Sequence, residues 1–232
     1  MCIRDRLGIP YAVVGGMALF QHGLRRFTEV VDLLVTKDDL KRIHKELSGL
    51  GYIPPFANSK QLRDTELGVR IEFLTTGDYP GDGRVKPVSF PDPRSVSFES
   101  SGIHYVNLPK LVELKLASGQ TNPGRLKDLG DVQELIKTLD LPLEFSDGLD
   151  PFVRVQYREL WLEARKRYVA VWTLDQLAAE ADAVVRMRED GVVEERDERM
   201  GADRVRLVAT DPKVAEKYGL IEESHYWDPK AE

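Results

Sequence analysis

The chain has 232 residues, with 33 Lys and Arg against 39 Asp and Glu, a formal net charge of −6 and 42% hydrophobic residues. That length suffices for one large domain, or for a domain of about 140 residues with an appendage. The acidic balance argues against a whole-surface binder of nucleic acid or anionic membrane and leaves only a local basic patch for such a role. The single cysteine, Cys2, excludes an internal disulfide and a cysteine-based zinc cluster. No run approaches the ~20 apolar residues of a membrane span and no signal peptide is evident, so the expectation is a cytoplasmic protein with no membrane partner.

Taken in chain order, Met1 to Arg6 reads MCIRDR, which resembles a translated sequencing-adapter remnant at the end of a metagenomic gene sequence. Residues 1–6 are therefore expected to be foreign, with a natural helix missing in front of Tyr11. Tyr11 to Val14 is a short apolar strand that stops at Gly15-Gly16, and Met17 to His22 opens a helix. A glycine turn between strand and helix exposes N–H groups suited to a phosphate. Gly23 breaks the helix, Arg25 and Arg26 add charge, and Val30 to Val35 is an apolar strand interrupted by one acid, Asp32. An unpaired carboxylate in a buried strand is costly.

Thr36 and Asp39 have capping-box spacing ahead of a helix carrying Leu40, Ile43, Leu47 and Leu50, which Gly49 and Gly51 end. Tyr52 to Leu67 is mixed, with room for a short strand or turn. Val69, Ile71 and Phe73 then alternate with Arg70, Glu72 and Leu74, so Glu72 points away from the apolar trio. Gly77 to Arg94 is an irregular Gly- and Pro-rich loop, read either as a lid or as a solvated connector. His104 to Val106 is a short strand, and Asn107 with Pro109 starts a helix.

Two charges break apolar stripes on the next helices. Lys115 falls among Leu108, Leu111, Val112 and Leu116, and Asp128 among Leu129, Val132, Leu135, Ile136 and Leu139. Either the two meet or line one polar cleft, or Lys115 snorkels outward and Asp128 is a first-turn acid favoured by the helix dipole.

From Asp140 the chain changes character, through a turn-rich linker to a helix opened by Asp150-Pro151. A capping box at Thr173 and Gln176 follows, then the charged run Arg186 to Arg199, an alternating strand at Val205, Leu207 and Ala209, and a short helix capped by Thr210-Asp211-Pro212. Tyr226 and Trp227 are expected to pack back on the body. No catalytic pattern stands in this last third.

Gly15-Gly16, a short helix, Arg26, Thr28 and Asp32 together resemble the nucleotidyltransferase superfamily, whose pattern is Gly-Gly, a short helix and Arg-x-Thr-x-Asp-x-Asp. The chain is similar to uncharacterised bacterial members of the type that includes AbiEii-like toxins and MntA-like antitoxins, over Tyr11 to Pro142. It departs from the pattern at Val30, where the first Asp of the pair would stand. The resemblance implies an α/β fold, a mixed sheet flanked by helices, over 1–145, followed by a mainly helical extension over 146–232. It implies metal-dependent transfer of a nucleoside monophosphate from a nucleoside triphosphate to a protein, RNA or small-molecule acceptor, with a cognate toxin or antitoxin as a further partner.

By the same resemblance Asp32 and Glu72 are catalytic and ligate Mg²⁺ or Mn²⁺, in a site that otherwise holds two ions. Gly15 and Gly16 cradle the triphosphate, and Arg26, Thr28, Lys115 and Asp128 lie by the nucleotide, with Arg125 and Lys127 in the segment beside it. Because side chains alternate along a strand, Val30 shares a face with Asp32 whereas Glu29 points away. Three readings of Val30 stand open: an inactive fold that binds a nucleotide or a partner, an active variant using one metal, or a sequence error.

Overall fold

The computed structural model describes residues 8–57, 59–196 and 201–223, which divide into two compact units that meet between Ala164 and Arg165. The first unit contains β1 (Ala12–Val13), α1 (Gly15–Gln21), β2 (Val30–Val35), α2 (Lys37–Leu47), β3 (Tyr52–Ile53), β4 (Gln61–Asp64) and β5 (Arg70–Thr75). It continues with α3 (Pro93–Val96), β6 (Ser97–Ser100), β7 (Ile103–Val106), α4 (Leu108–Thr121), α5 (Leu126–Thr138) and α6 (Pro151–Ala164). Its seven strands form one mixed sheet in the order β3-β4-β5-β2-β1-β7-β6. β2 runs parallel to β5 and β1 parallel to β7, while β1 and β2 are antiparallel.

Strand alternation divides the apolar side chains of this sheet between two cores. Val13, Leu33, Val35, Ile71 and Phe73 face Ile43 and Leu47 of α2. Ala12, Val14, Leu34 and Val106 face the other way, toward Ala18 and Leu19 of α1, Leu111 and Leu116 of α4, Val132 and Ile136 of α5, and Val153 and Tyr157 of α6. The caps are local in origin: the Thr36 side chain accepts the Asp39 N–H, and the Asn107 side chain accepts the Lys110 N–H. α2 stops at Leu47, so Leu50 lies outside the helix and is exposed.

The loop between Gly77 and Asp92 is a pinned strap. The Gly77 N–H donates to the Phe90 carbonyl and the Phe90 N–H to that of Asp78, both at 2.8 Å, and Val88 and Phe90 are buried. Lys86, its side chain only 5% exposed, pairs with Asp82 and donates to the Pro80 carbonyl and to Thr121 Oγ1 of α4. Gly81 lies so close to α4 that a Cβ there would stand 2.3 Å from Thr121 Oγ1.

α6 belongs to the first unit, so the boundary falls after Ala164 and not near residue 145. Tyr157 is fully buried and donates its hydroxyl proton to the Pro142 carbonyl, and the Trp161 indole N–H donates to that of Leu141. These bonds tie α6 to the segment read from sequence as a linker.

The second unit is built on β8 (Tyr168–Thr173), α7 (Leu174–Ala179), α8 (Ala181–Glu189), β9 (Val193–Glu195), β10 (Arg204–Ala209), α9 (Pro212–Tyr218) and β11 (Ile221–Glu222). Its four strands form an antiparallel sheet in the order β11-β8-β10-β9. The extension expected to be mainly helical thus carries a four-stranded sheet beside its helices. β8 is fixed by pairing with β10 over six residues, which places Tyr168, Ala170 and Trp172 against one core. The capping box at Thr173 and Gln176 is present as read, and α9 ends at Gly219 in the left-handed region. Of the charged run, Arg186 to Glu189 is helical and Glu194 and Glu195 are in β9, while 197–200 lie outside the described residues, as do Tyr226, Trp227 and residues 1–7. Among the described residues no helix is long and apolar enough to cross a membrane.

Candidate functional site

The parallel register of β2 and β5 pairs Asp32 with Glu72. Adjacent strands lie ~4.8 Å apart, so the two acids are side by side on the face that also carries Leu34 and Leu74. Val30 shares that face. Its cross-strand partner is Arg70, whose guanidinium reaches Glu29 at 3.4 Å on the exposed side.

The two glycines permit a close approach of side chains to the turn. Gly15 adopts φ +61°, and a Cβ there would stand 1.9 Å from Asp32 Oδ2; a Cβ on Gly16 would stand 2.8 Å from Thr28 Cβ. Their bare faces thus receive Asp32 and Thr28. Any side chain at 15 would suffer both left-handed strain and a collision. Thr28 in turn donates its hydroxyl proton to the Val30 carbonyl at 3.0 Å, fixing the entry into β2.

Burial, reinforced by the Glu72 carboxylate, pushes the Asp32 carboxyl up to about 6. Lys115, Arg125 and the Gly16 N–H act in the opposite direction. A carboxylate made costly by desolvation and by a like charge is a place where a cation is stabilising.

Beside this pair lies a chain of alternating charges. Arg26 pairs with Asp131, Asp131 accepts from Lys115 Nζ at 2.7 Å, Lys115 also donates to Asp128 at 2.9 Å, and Arg125 Nε donates to Asp128 at 2.9 Å. Ser118, one turn along α4 from Lys115, donates to the other Asp128 oxygen at 2.7 Å. Burial alone would push the Asp128 carboxyl up; Lys115, Ser118 and Arg125 overcome it and hold the group below its usual range. The stripe-breaking Lys115 and Asp128 therefore meet. Asp131 escaped the sequence reading, although its place three residues after Asp128 puts both acids on one face of α5. Lys127 is exposed and outside this chain of charges.

The structure brings Gly15, Gly16, Thr28, Asp32 and Glu72 together and adds Arg26, Lys115, Arg125, Asp128 and Asp131 around the same face. Among the described residues no group of three or more His, Cys, Asp and Glu side chains is placed to hold a metal ion. Asp32 and Glu72 remain as a two-carboxylate donor set. Mg²⁺ is commonly held by one or two carboxylates with phosphates and water completing its shell, so this donor set fits one such ion.

No family model matches the chain, and no curated protein sequence matches it. Among solved structures, the chain is similar to ANT(2″)-Ia in complex with adenylyl-2″-tobramycin, at 11% identity over 67% of this chain and 91% of that one, with a TM-score of 0.44. It is also similar to a candidate nucleotidyltransferase from H. pylori, at 17% identity over 70% and 88% of the two chains, with a TM-score of 0.41. JHP933 from Helicobacter pylori aligns at 14% identity over 80% and 93%, with a TM-score of 0.39. The chemistry open to this site is set by its own side chains.

Proposed function

We propose that the first unit is a nucleotidyltransferase-type domain. In particular, it binds a nucleoside triphosphate with one Mg²⁺, for which Mn²⁺ can substitute, and transfers the nucleoside monophosphate to an acceptor hydroxyl on a protein, RNA or small molecule. The observation that carries this reading is the in-register Asp32–Glu72 pair, set against the Gly15-Gly16 turn and flanked by three cations that share only two carboxylates.

Asp32 and Glu72 would hold the metal. A magnesium ion bound there supplies positive charge to the phosphate oxygens and orients them. Arg26, Lys115 and Arg125 would contact the phosphates, with Asp128 and Asp131 keeping these cations in place. In the transfer, the acceptor oxygen bonds to the α-phosphorus, the bond from that phosphorus to the bridging oxygen breaks, and pyrophosphate leaves with the electron pair. The acceptor's proton passes to solvent.

A second reading is favoured by Val30, which stands on the Asp32 face where a further acid would be needed to bridge two ions. On that reading the same site binds a nucleotide or a partner protein, such as the other half of a toxin–antitoxin pair, without turnover. The test is incubation of the chain with labelled ATP, GTP, CTP and UTP, Mg²⁺ and cell lysate, alongside Asp32→Asn. Label transferred by the parent and not by the variant supports transfer. Binding of a nonhydrolysable triphosphate without transfer supports the second reading, and absence of both overturns the nucleotide site.

A further inference from the structure

A second concavity, of about 540 Å³, lies on the opposite face of the sheet from Asp32 and Glu72. Thr75, at the end of β5, lies in it, and His44 of α2 packs its ring against Phe73 with centroids 6.3 Å apart. The volume is in the range of small-ligand sites.

The charged side chains of the lining are mostly cationic. Among the described residues Asp78 is the one carboxylate of the lining, and it accepts from Lys37 at 3.0 Å, from Lys60 at 2.5 Å and from the Thr75 hydroxyl. Slight burial would raise the Asp78 carboxyl, but Lys60, Thr75 and Lys37 hold it well below its usual range, so it stays charged. Lys41, one turn along α2 from Lys37, adds a third ammonium. Its own partner, Asp38, is 88% exposed outside the pocket, where water screens the pair. Three lysines against one carboxylate leave a surplus of two positive charges.

One further group of the lining has a proton to give. The buried Ser59 hydroxyl accepts the Gln61 N–H at 3.0 Å and retains its own proton to donate.

We infer that this pocket binds the phosphate of a small phosphomonoester. A phosphate dianion balances the surplus charge and offers several strong acceptor oxygens to the ammonium groups and the Ser59 hydroxyl. The Leu40 side chain and the His44 ring supply an apolar wall for the organic part. The inference does not depend on nucleotidyl transfer, because the two sites use no residue in common.

The test is histidine NMR on the full chain during titration with inorganic phosphate, phenyl phosphate and, at matched ionic strength, sodium chloride. The His44 ring signals are assigned by their loss in His44→Gln. The expected result is a saturable shift confined to His44, complete by the order of 10 mM ligand, with phenyl phosphate binding more tightly than phosphate and chloride giving no shift. Lys41→Gln/Lys60→Gln should weaken the binding by about tenfold or more, and the exposed single change Lys41→Gln, which leaves the Asp78 pairs intact, should weaken it in the same direction. No His44 shift, an equal shift with chloride, or unchanged affinity in Lys41→Gln overturns the phosphate site. Tighter binding of inorganic phosphate than of phenyl phosphate overturns the phosphomonoester assignment.

Discussion

Asp32→Asn should make the fold more stable at neutral pH while removing a proposed metal ligand. The folded-state carboxyl ionises near pH 6 and the ordinary value is 3.8, so the folded state binds the proton more tightly than the unfolded one. Below about pH 3.8 both states are protonated and the group contributes nothing. As pH rises from there to about 6 the unfolded state ionises first, and stability falls until the folded carboxyl ionises too. At ~1.4 kcal/mol per tenfold difference, the gap corresponds to about 3 kcal/mol, which incomplete burial reduces to about 1–3 kcal/mol. Asparagine keeps the shape and an oxygen that can accept the Gly16 N–H, but carries no charge to desolvate or to repel Glu72. Thermal melts of parent and variant at pH 4 and pH 8 should therefore differ little at the lower pH. At the higher pH the variant should melt several degrees higher, since 1 kcal/mol moves the midpoint by ~2–4 °C in a domain of this size. Millimolar Mg²⁺ with a nonhydrolysable triphosphate should raise the parent's midpoint and leave the variant's unchanged, because a ligand that binds only the folded state stabilises it by mass action. A variant less stable than the parent at pH 8, or a difference that does not shrink toward pH 4, would refute the reasoning.

Three other substitutions probe the same face. Lys115→Ala leaves Asp128 and Asp131 without their shared ammonium and should cost about 3–5 kcal/mol in urea unfolding; a loss under about 0.5 kcal/mol would mean that water already screens the pair. Gly15→Ala should destabilise by about 2 kcal/mol or more through its left-handed φ and its collision with Asp32 Oδ2. Combining it with Asp32→Ala should recover part of that loss, and strict additivity would show that the two positions do not touch. Val30→Asp places a third acid on the Asp32 face, so the metal-free variant should melt below the parent at neutral pH. Mg²⁺ should offset that loss, and a magnesium response no greater than the parent's would mean that position 30 does not face the site.

Local pattern determined much of the first unit before any tertiary information. The period-two alternation of Val69, Ile71 and Phe73 fixed which face Glu72 takes, the Thr36 and Asn107 side chains fixed two helix starts, and Lys115 and Asp128 stood out because each interrupts an apolar stripe. Such signals are legible because they depend only on residues a few positions apart and on the cost of burying a charge.

Tertiary structure alone decided what depends on distant segments meeting. That Gly15 is bare to admit the Asp32 side chain, that Asp131, 105 residues from Arg26 in sequence, joins it to Lys115, and that Lys86 pins a loop onto α4 follow from packing, which no local period encodes. β8 illustrates the same limit, since its pairing with β10 makes a sheet of a segment whose strongest local signal is a helix cap at Thr173. Burial raises Asp32 by a desolvation that depends on every layer above it, so the sequence determined which acid is out of place, and only the fold decided how strongly its charge is disfavoured.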